Sequence, residues 1–372
     1  LATSLLDVVL IAVVVGALLW GSTIVATQRD FVASVFGNTT KSEADKGRYN
    51  VLLLGGDSGP NRQGIRPDSI TLASIDANTG RAVLIGLPRN MAKVPFPEGS
   101  VMHEQFPDGF QWDNCGANCF LNGVYTYASE HKQLFPGVAD PGLLATRQAV
   151  EAVTGLKVNY HVLIDISGFR KLLDAVGGIN LDVGKKVPIG GVGGPIVRYI
   201  TPGRNKHLTG YEAMWFARSR ANSTDYERMT RQKCVMTAML NQLSPQTVLT
   251  KFEGIAGASK EVVQTDIPSS HLGTFVDLAL DAKKLPVSSF SPVPPLIHTG
   301  DPDFELIRTK VAQAIAKSEA LDKMAEDGDG NEPSSPATTT TSKPKPTSSA
   351  KPSGTPSKPT ADVDDVASIC KA

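Results

Sequence analysis

Net charge is the first thing this chain lacks: 37 Lys and Arg balance 37 Asp and Glu over 372 residues. Without a global field nothing draws in nucleic acid, and any anion site must be built by local clustering. No helix-turn-helix pattern stands out. Histidine is scarce, six residues scattered without ligand spacing, which argues against a His-based metal centre. There is no Walker Gly-Lys-Ser/Thr. Gly56-Asp57-Ser58-Gly59 lacks the Gly-x-Ser-x-Gly elbow, so P-loop and serine-hydrolase chemistry find no footing. No internal repeat is visible.

Cysteine is scarce as well, with four residues. Cys115 and Cys119 flank Gly116-Ala117-Asn118, with turn formers between them. A metal half-site would need a second Cys/His pair with matching spacing, and none exists. A local disulfide fits better and favours an extracytoplasmic body. Cys234 and Cys370 either pair or stay free; spacing does not choose.

One long uncharged run is present. Val8 to Ala26 is long enough to span a bilayer, and a single-pass anchor is expected over residues 5–26. A cleaved signal peptide is the rival reading, but its apolar core would be shorter and no clear Ala-x-Ala site follows. A polar connector occupies 27–46. A folded body of 47–325 follows, with a Pro/Ser/Thr/Lys-rich tail over 326–372 whose low apolar content predicts disorder.

Within the body, short β-forming runs alternate with helical patterns. Strands are expected at 49–54, 69–76, 82–87, 160–166, 179–183 and near 287–293. Helices are expected at 141–154, 167–176 (capped by Ser167), 225–243, 245–261, 268–282 and 303–320. Residues 95–117 read as loop and 186–206 as loop or irregular hairpin. The alternation predicts an α/β fold, a central mixed sheet between helical layers.

The densest chemistry follows a short helix at 209–214. Ala217-Arg218-Ser219-Arg220 precedes Asp225, Arg228, Arg231 and Gln232. Read as a strand, 214–220 would aim Arg218 and Arg220 to one face. A helix opening at Asp225 would line up Arg228, Arg231 and Gln232. Guanidinium forks match phosphate oxygens in pairs, so this cluster suits a phosphate-rich ligand. A solvated basic face, paired with Asp225 and Glu227, is the bland alternative.

Three further motifs sit at strand ends, the usual place for a site in layered α/β folds. They are Gly55-Gly56-Asp57, Arg66-Pro67-Asp68-Ser69 and Leu87-Pro88-Arg89-Asn90. Each alone is a common turn. Together they offer two carboxylates, suited to Mg²⁺ with phosphate oxygens, and two more arginines.

Taken in order, these motifs resemble those of the LytR-CpsA-Psr family, which has Gly-x-Asp, Arg-Ser-Asp, Pro-Arg-Asp and a closing arginine signature. The likeness extends through Phe120-Leu121-Asn122-Gly123-Val124-Tyr125 and through Tyr160 to Val183, with Asp165, Phe169, Asp174 and Gly177-Gly178 in place. It covers residues 49–243. Pro67 replaces the usual Ser or Thr, and Asn90 replaces an Asp.

The resemblance implies a membrane-anchored phosphotransferase facing the cell wall. Its donor would be a polyprenyl-pyrophosphate-linked glycopolymer and its acceptor a muramic acid hydroxyl of peptidoglycan. Arg66, Arg89, Arg218, Arg220, Arg228 and Gln232 would hold the diphosphate, with Asp57 and Asp68 on Mg²⁺ or Mn²⁺. Arg89, Arg218 and Asp68 would carry catalysis, while Asp225 and Arg231 orient the rest. Apolar tunnel residues cannot be told from core residues in a sequence. A polyprenyl-pyrophosphate hydrolase and a non-catalytic binder remain rivals. The Ala/Gly/Val-rich composition is compatible with an actinobacterial source and an arabinogalactan donor.

Overall fold

The computed structural model describes residues 44–56, 65–191, 194–244 and 263–326, together with positions 247, 364, 365 and 370. The expected anchor at 5–26, most of the connector, Asp57, most of the expected 245–261 helix and most of the tail lie outside these residues. Among the described residues no helix is long and apolar enough to cross a membrane.

Eleven strands are described: β1 Arg48–Gly56, β2 Pro67–Asp76, β3 Ala82–Leu87, β4 Tyr160–Asp165, β5 Ile179–Val183, β6 Val187–Gly190, β7 Ile196–Ile200, β8 Gly203–Leu208, β9 Val263–Thr265, β10 Ser288–Phe290 and β11 Asp364–Asp365. Seven form one mixed sheet in the order β11-β10-β3-β2-β1-β4-β9. β1 runs antiparallel to β2 and parallel to β4, and β3 runs parallel to β10. β5–β8 and β6–β7 are separate antiparallel pairs, so within the 186–206 stretch residues 187–200 form a hairpin while 203–206 belong to β8 and pair with β5.

Period-two alternation sends apolar side chains to both faces. Leu52, Leu54, Ile70, Leu72, Val83 and Ile85 point to one face, where helices Leu121–Glu130, Pro141–Thr154 and Phe304–Glu326 close the core. Each fully buried Leu or Ile there is worth about 1.5–3 kcal/mol. Leu53, Ala73 and Leu84 point to the other face, toward Met236 and Leu240 of helix Asp225–Gln242. Helix Leu272–Ala282 covers the same face through Phe275, beside Val51 and Val162. Helices on both faces of a mixed sheet give the expected α/β/α layering.

Local signals set the helix ends. Helix Pro141–Thr154 starts on an Asp140 cap with Pro141 at its first turn, and stops at Gly155, whose φ of 72° no β-carbon favours. Helix Asp225–Gln242 opens on a reciprocal capping box between Thr224 and Glu227.

Four expectations need correction. Residues 214–220 are not a strand: a Thr209–Glu212 capping box starts a helix, Gly210–Arg218, and Ser219 and Arg220 follow it outside any strand. Ser167 does not cap its helix; Asp165 does, accepting from the Gly168 amide, and the helix is Ile166–Ala175. The 95–117 loop holds a short helix, Val101–Gln105, capped by Ser100. The chain's last residues, read as carrying no fold, supply edge strand β11 and a disulfide from Cys370 to Cys234. The Cys115–Cys119 disulfide is present.

Candidate active site

Three strand and helix ends converge at one edge of the sheet. Asp68 stands at the start of β2, Arg89 two residues past β3, and Asp225 opens the long helix. Arg89 bridges the two carboxylates: its Nη1 donates to Asp68 Oδ1 at 2.7 Å and its Nε to Asp225 Oδ2 at 3.0 Å. Arg228 closes the ring, its Nη2 donating to Asp225 Oδ2 and to the Asp68 carbonyl, each at 3.1 Å. Arg228 is 2% exposed, and its Nε has no hydrogen-bond partner among the described residues.

Burial works to raise the Asp68 carboxyl, but Arg89, then Arg228 and Arg220, outweigh it and hold it below the usual aspartate range. Burial likewise opposes the charge on Arg89, yet Asp225 and Asp68 hold that guanidinium above its ordinary value. For Arg228 burial wins and its value falls.

The closing arginines divide by role. Arg218 ends helix Gly210–Arg218, its guanidinium 5.5 Å from the Trp215 ring centre. Arg220 follows in the turn, close enough for its charge to act on Asp68 and Arg228. Arg231 turns away: its Nε donates to the Phe216 carbonyl at 2.7 Å, Nη1 to Ser223 Oγ at 3.0 Å, and Nη2 to the Ser219 carbonyl. It braces the turn that carries Arg218 and Arg220, and burial lowers it to about 10.

Arg66 joins through a residue that the motif reading did not assign to the site. Its Nη2 donates to Asn122 Oδ1 at 3.3 Å, and Asn122 Nδ2 donates to Asp68 Oδ1 at 3.2 Å. Asn122 is 1% exposed and opens helix Leu121–Glu130. Its only signal in the sequence was its place in the Phe120–Tyr125 motif. Asn90 points elsewhere, its Nδ2 donating to Thr299 Oγ1 at 3.2 Å.

Behind this polar ring lies a cavity of about 260 Å³. Asp68, Asp165, Ser69, Thr71, Arg218, Arg228 and Gln232 supply its polar lining, and the rest is mostly apolar, including Phe169, Leu172, Met214, Val235, Met236 and Met239. Of the expected site residues, the structure brings Arg66, Asp68, Arg89, Arg218, Arg220, Asp225, Arg228 and Gln232 together, and places Arg231 behind them. Counting the five guanidiniums of Arg66, Arg89, Arg218, Arg220 and Arg228 against the carboxylates of Asp68, Asp165 and Asp225 leaves an excess of two positive charges. Asp57 lies outside the described residues. Among those described, no group of three His, Cys, Asp or Glu is placed to hold a metal by itself.

The model of the LytR_cpsA_psr family matches residues 24–294. The polyisoprenyl-teichoic acid–peptidoglycan teichoic acid transferase TagU of Oceanobacillus iheyensis is 27% identical over 62% of this chain and 63% of its own length. The cell wall biosynthesis protein LcpA of Corynebacterium glutamicum is 27% identical over 60% of this chain and 46% of its own length. The chain thus spans about half to two-thirds of these relatives. The crystal structure of B. subtilis TagV superposes with a TM-score of 0.51 at 22% identity, over 74% of this chain and 98% of that one.

Proposed function

The chain belongs to the LytR-CpsA-Psr family, and from that premise we propose that it transfers a glycopolymer from a polyprenyl-diphosphate carrier to a peptidoglycan hydroxyl. One observation carries the reading: a mostly apolar cavity whose polar lining includes Arg218, Arg228 and Gln232 beside Asp68 and Asp165. A ligand that is apolar at one end and twice phosphorylated next to it matches that order of surfaces. The buried Arg228 Nε lacks an acceptor among the described residues, and a phosphate oxygen would supply one.

On this reading the lipid tail fills the cavity and the diphosphate rests among Arg89, Arg218, Arg220 and Arg228. The acceptor oxygen attacks the sugar-side phosphorus. The bond from that phosphorus to the bridging oxygen breaks, polyprenyl phosphate departs, and the hydroxyl proton passes to solvent or the departing phosphate. The arginines act by positioning and by neutralising charge that grows on the leaving group. Asp68 and Asp225 keep the Arg89 fork in one orientation.

A divalent ion fits the donor set in part. Asp68 is an ionised carboxylate on the cavity wall, and Mg²⁺ or Mn²⁺ takes one or two carboxylates with phosphate oxygens. Asp68, with Asp57 as the second carboxylate, would hold it, and it would supply charge neutralisation at the phosphates. The two disulfides support a body outside the cytoplasm, and the uncharged run at residues 8–26 supports a membrane anchor. For the polymer, an arabinogalactan-type donor is supported by composition alone.

The test is product analysis with the full chain in detergent, a short polyprenyl-diphosphate glycan and peptidoglycan as acceptor, with Mg²⁺, Mn²⁺ or EDTA. Polymer linked to peptidoglycan, lost in Arg218→Ala and Arg89→Ala, is the expected result. Release of free glycan phosphate that ignores the acceptor would make the protein a hydrolase instead, and lipid binding without turnover would make it a binder.

A further inference from the structure

An aromatic cluster stands beside the site, used by neither the cavity nor the diphosphate ring. Trp112 lies 5.9 Å from Phe106 and 5.5 Å from Tyr127, tilted by 35° and 41°. Phe110 meets it edge-on at 5.3 Å. Phe110 is fully buried, whereas Trp112 keeps 40% of its surface exposed. An indole with rings packed behind it and water in front is a rigid apolar plate.

The plate is wired to the reacting end of the sheet. The Leu121 and Asn122 amides donate to the Met91 and Arg89 carbonyls at 2.9 and 3.1 Å, so helix Leu121–Glu130 starts on the segment that carries Arg89. Tyr127 follows Asn122 by five residues on that helix, about 7.5 Å along its axis. Arg66 donates to the Ala117 carbonyl at 2.6 Å, inside the loop that the Cys115–Cys119 disulfide closes. Around the plate the same stretch exposes Gln111, Asp113, Asn114 and Asn118.

That combination has a chemical counterpart. A pyranose ring presents C–H groups on one face and hydroxyls at its rim. The C–H face packs on an indole, and the hydroxyls pair with short amides and carboxylates. A lipid tail would leave that polar rim unmatched.

The sheet decides which glycan. The cavity opens mostly on the face that carries Leu53, Ser69, Thr71 and Val162, while Phe106, Phe110 and Tyr127, on which Trp112 packs, belong to the core on the opposite face with Leu52, Ile70 and Leu87. In-line displacement brings the nucleophile in opposite the leaving group. With polyprenyl phosphate leaving into the cavity, the nucleophile enters from the side where Trp112 stands. We propose that Trp112 and the disulfide-closed loop form a subsite for the glycan strand of the acceptor, seating its hydroxyl at the Asp68–Arg89 centre. This rests on the transferase reading for its role, but glycan binding itself is measurable without turnover.

The test uses the full chain in detergent with purified peptidoglycan sacculi, soluble chitotetraose, and a short polyprenyl-diphosphate sugar as the donor arm. In the wild type, chitotetraose should shield a tryptophan from acrylamide quenching, a signal absent in Trp112→Phe. Trp112→Ala should bind sacculi about tenfold more weakly, with Trp112→Phe between it and wild type. Donor binding should stay unchanged; Trp112→Ala loses ring packing and should melt lower, with Trp112→Phe nearer wild type, so all binding is compared well below each variant's melt. Sacculus binding that ignores Trp112→Ala, or wild type that binds neither sacculi nor chitotetraose, overturns the subsite. Loss confined to the donor arm overturns the acceptor assignment. Failure of the lipid arm in wild type strikes the transferase reading alone, since the glycan arms are scored separately.

Discussion

Arg89 and Asp225 are 136 residues apart in the chain and 3.0 Å apart in the structure. Their pairing ties the end of β3 to the first turn of helix Asp225–Gln242, and Asp225 also holds Arg228. Asp225 is therefore a positioning residue for two guanidiniums. Asp225→Asn keeps the shape and removes the charge. Charge-assisted bonds of this kind are worth about 1.5–3 kcal/mol, so transfer should slow about ten- to hundredfold. Steady-state turnover checks this, and Arg89→Lys should not rescue it, because an ammonium cannot span two carboxylates as a planar fork does. Wild-type rates in Asp225→Asn would show the pairing to be incidental.

Acid should affect the site late. Asp68 is held below its ordinary value of 3.8, so its pairing with Arg89 is complete above that pH and is lost only as pH falls through the lower folded value. Glu227 offers a cleaner measurement. Burial works against its charge, but Lys185, Ser223 and the Thr224 amide lower it from 4.5 to about 2. Its contribution to stability is fully present above 4.5 and fades between 4.5 and about 2. Denaturant melts of wild type and Glu227→Gln should therefore differ at pH 6 and converge at strongly acid pH. A gap that widens on acidification would reverse the assignment.

The Cys234–Cys370 disulfide fixes the chain's end to the helix that lines the cavity. It closes a loop with a sequence separation of 136 residues. Such closure stabilises by roughly 2–5 kcal/mol, most of it through the unfolded chain. Cys370→Ser should lower the denaturant midpoint by a corresponding amount. Cys115→Ser, which opens a separation of only four residues, should shift it less. Equal shifts would mean that loop length is not the source.

Much of this arrangement is legible in the sequence. Val51 to Leu54 and Ile70 to Ala73 read as strands because β-forming apolar residues fill both faces. Asp225 read as a helix start because of its neighbours' spacing. The stretch at Arg218 misled, since alternating arginines imitate a strand; the Thr209–Glu212 box upstream sets a helix that overrides that local pattern. Beyond its place in a motif, Asn122 carries no mark of a site residue in the sequence, because its meeting with Asp68 depends on how the helix docks at Arg89. The resemblance implies an apolar tunnel, but its lining leaves no trace in the sequence. Met214, Val235 and Met239 are apolar residues on amphipathic helices, and nothing in their identity separates a wall from a core.

That cavity gives the sharpest test of the lipid reading. Met236 lines it and also packs with Leu53, Ala73 and Leu240 on the sheet, away from the arginines. Met236→Trp adds bulk there without touching the diphosphate end. Overpacking of this kind costs about 1–3 kcal/mol when it strains the fold, so the thermal melt must be compared alongside. If the tail occupies this space, KM for a long polyprenyl donor should rise about tenfold while a farnesyl donor is affected less, since tail burial scales with the methylenes accommodated. Arg218→Ala should weaken both donors alike, because it acts on the shared diphosphate. A Met236→Trp variant that treats the two donors equally would place the tail outside this cavity.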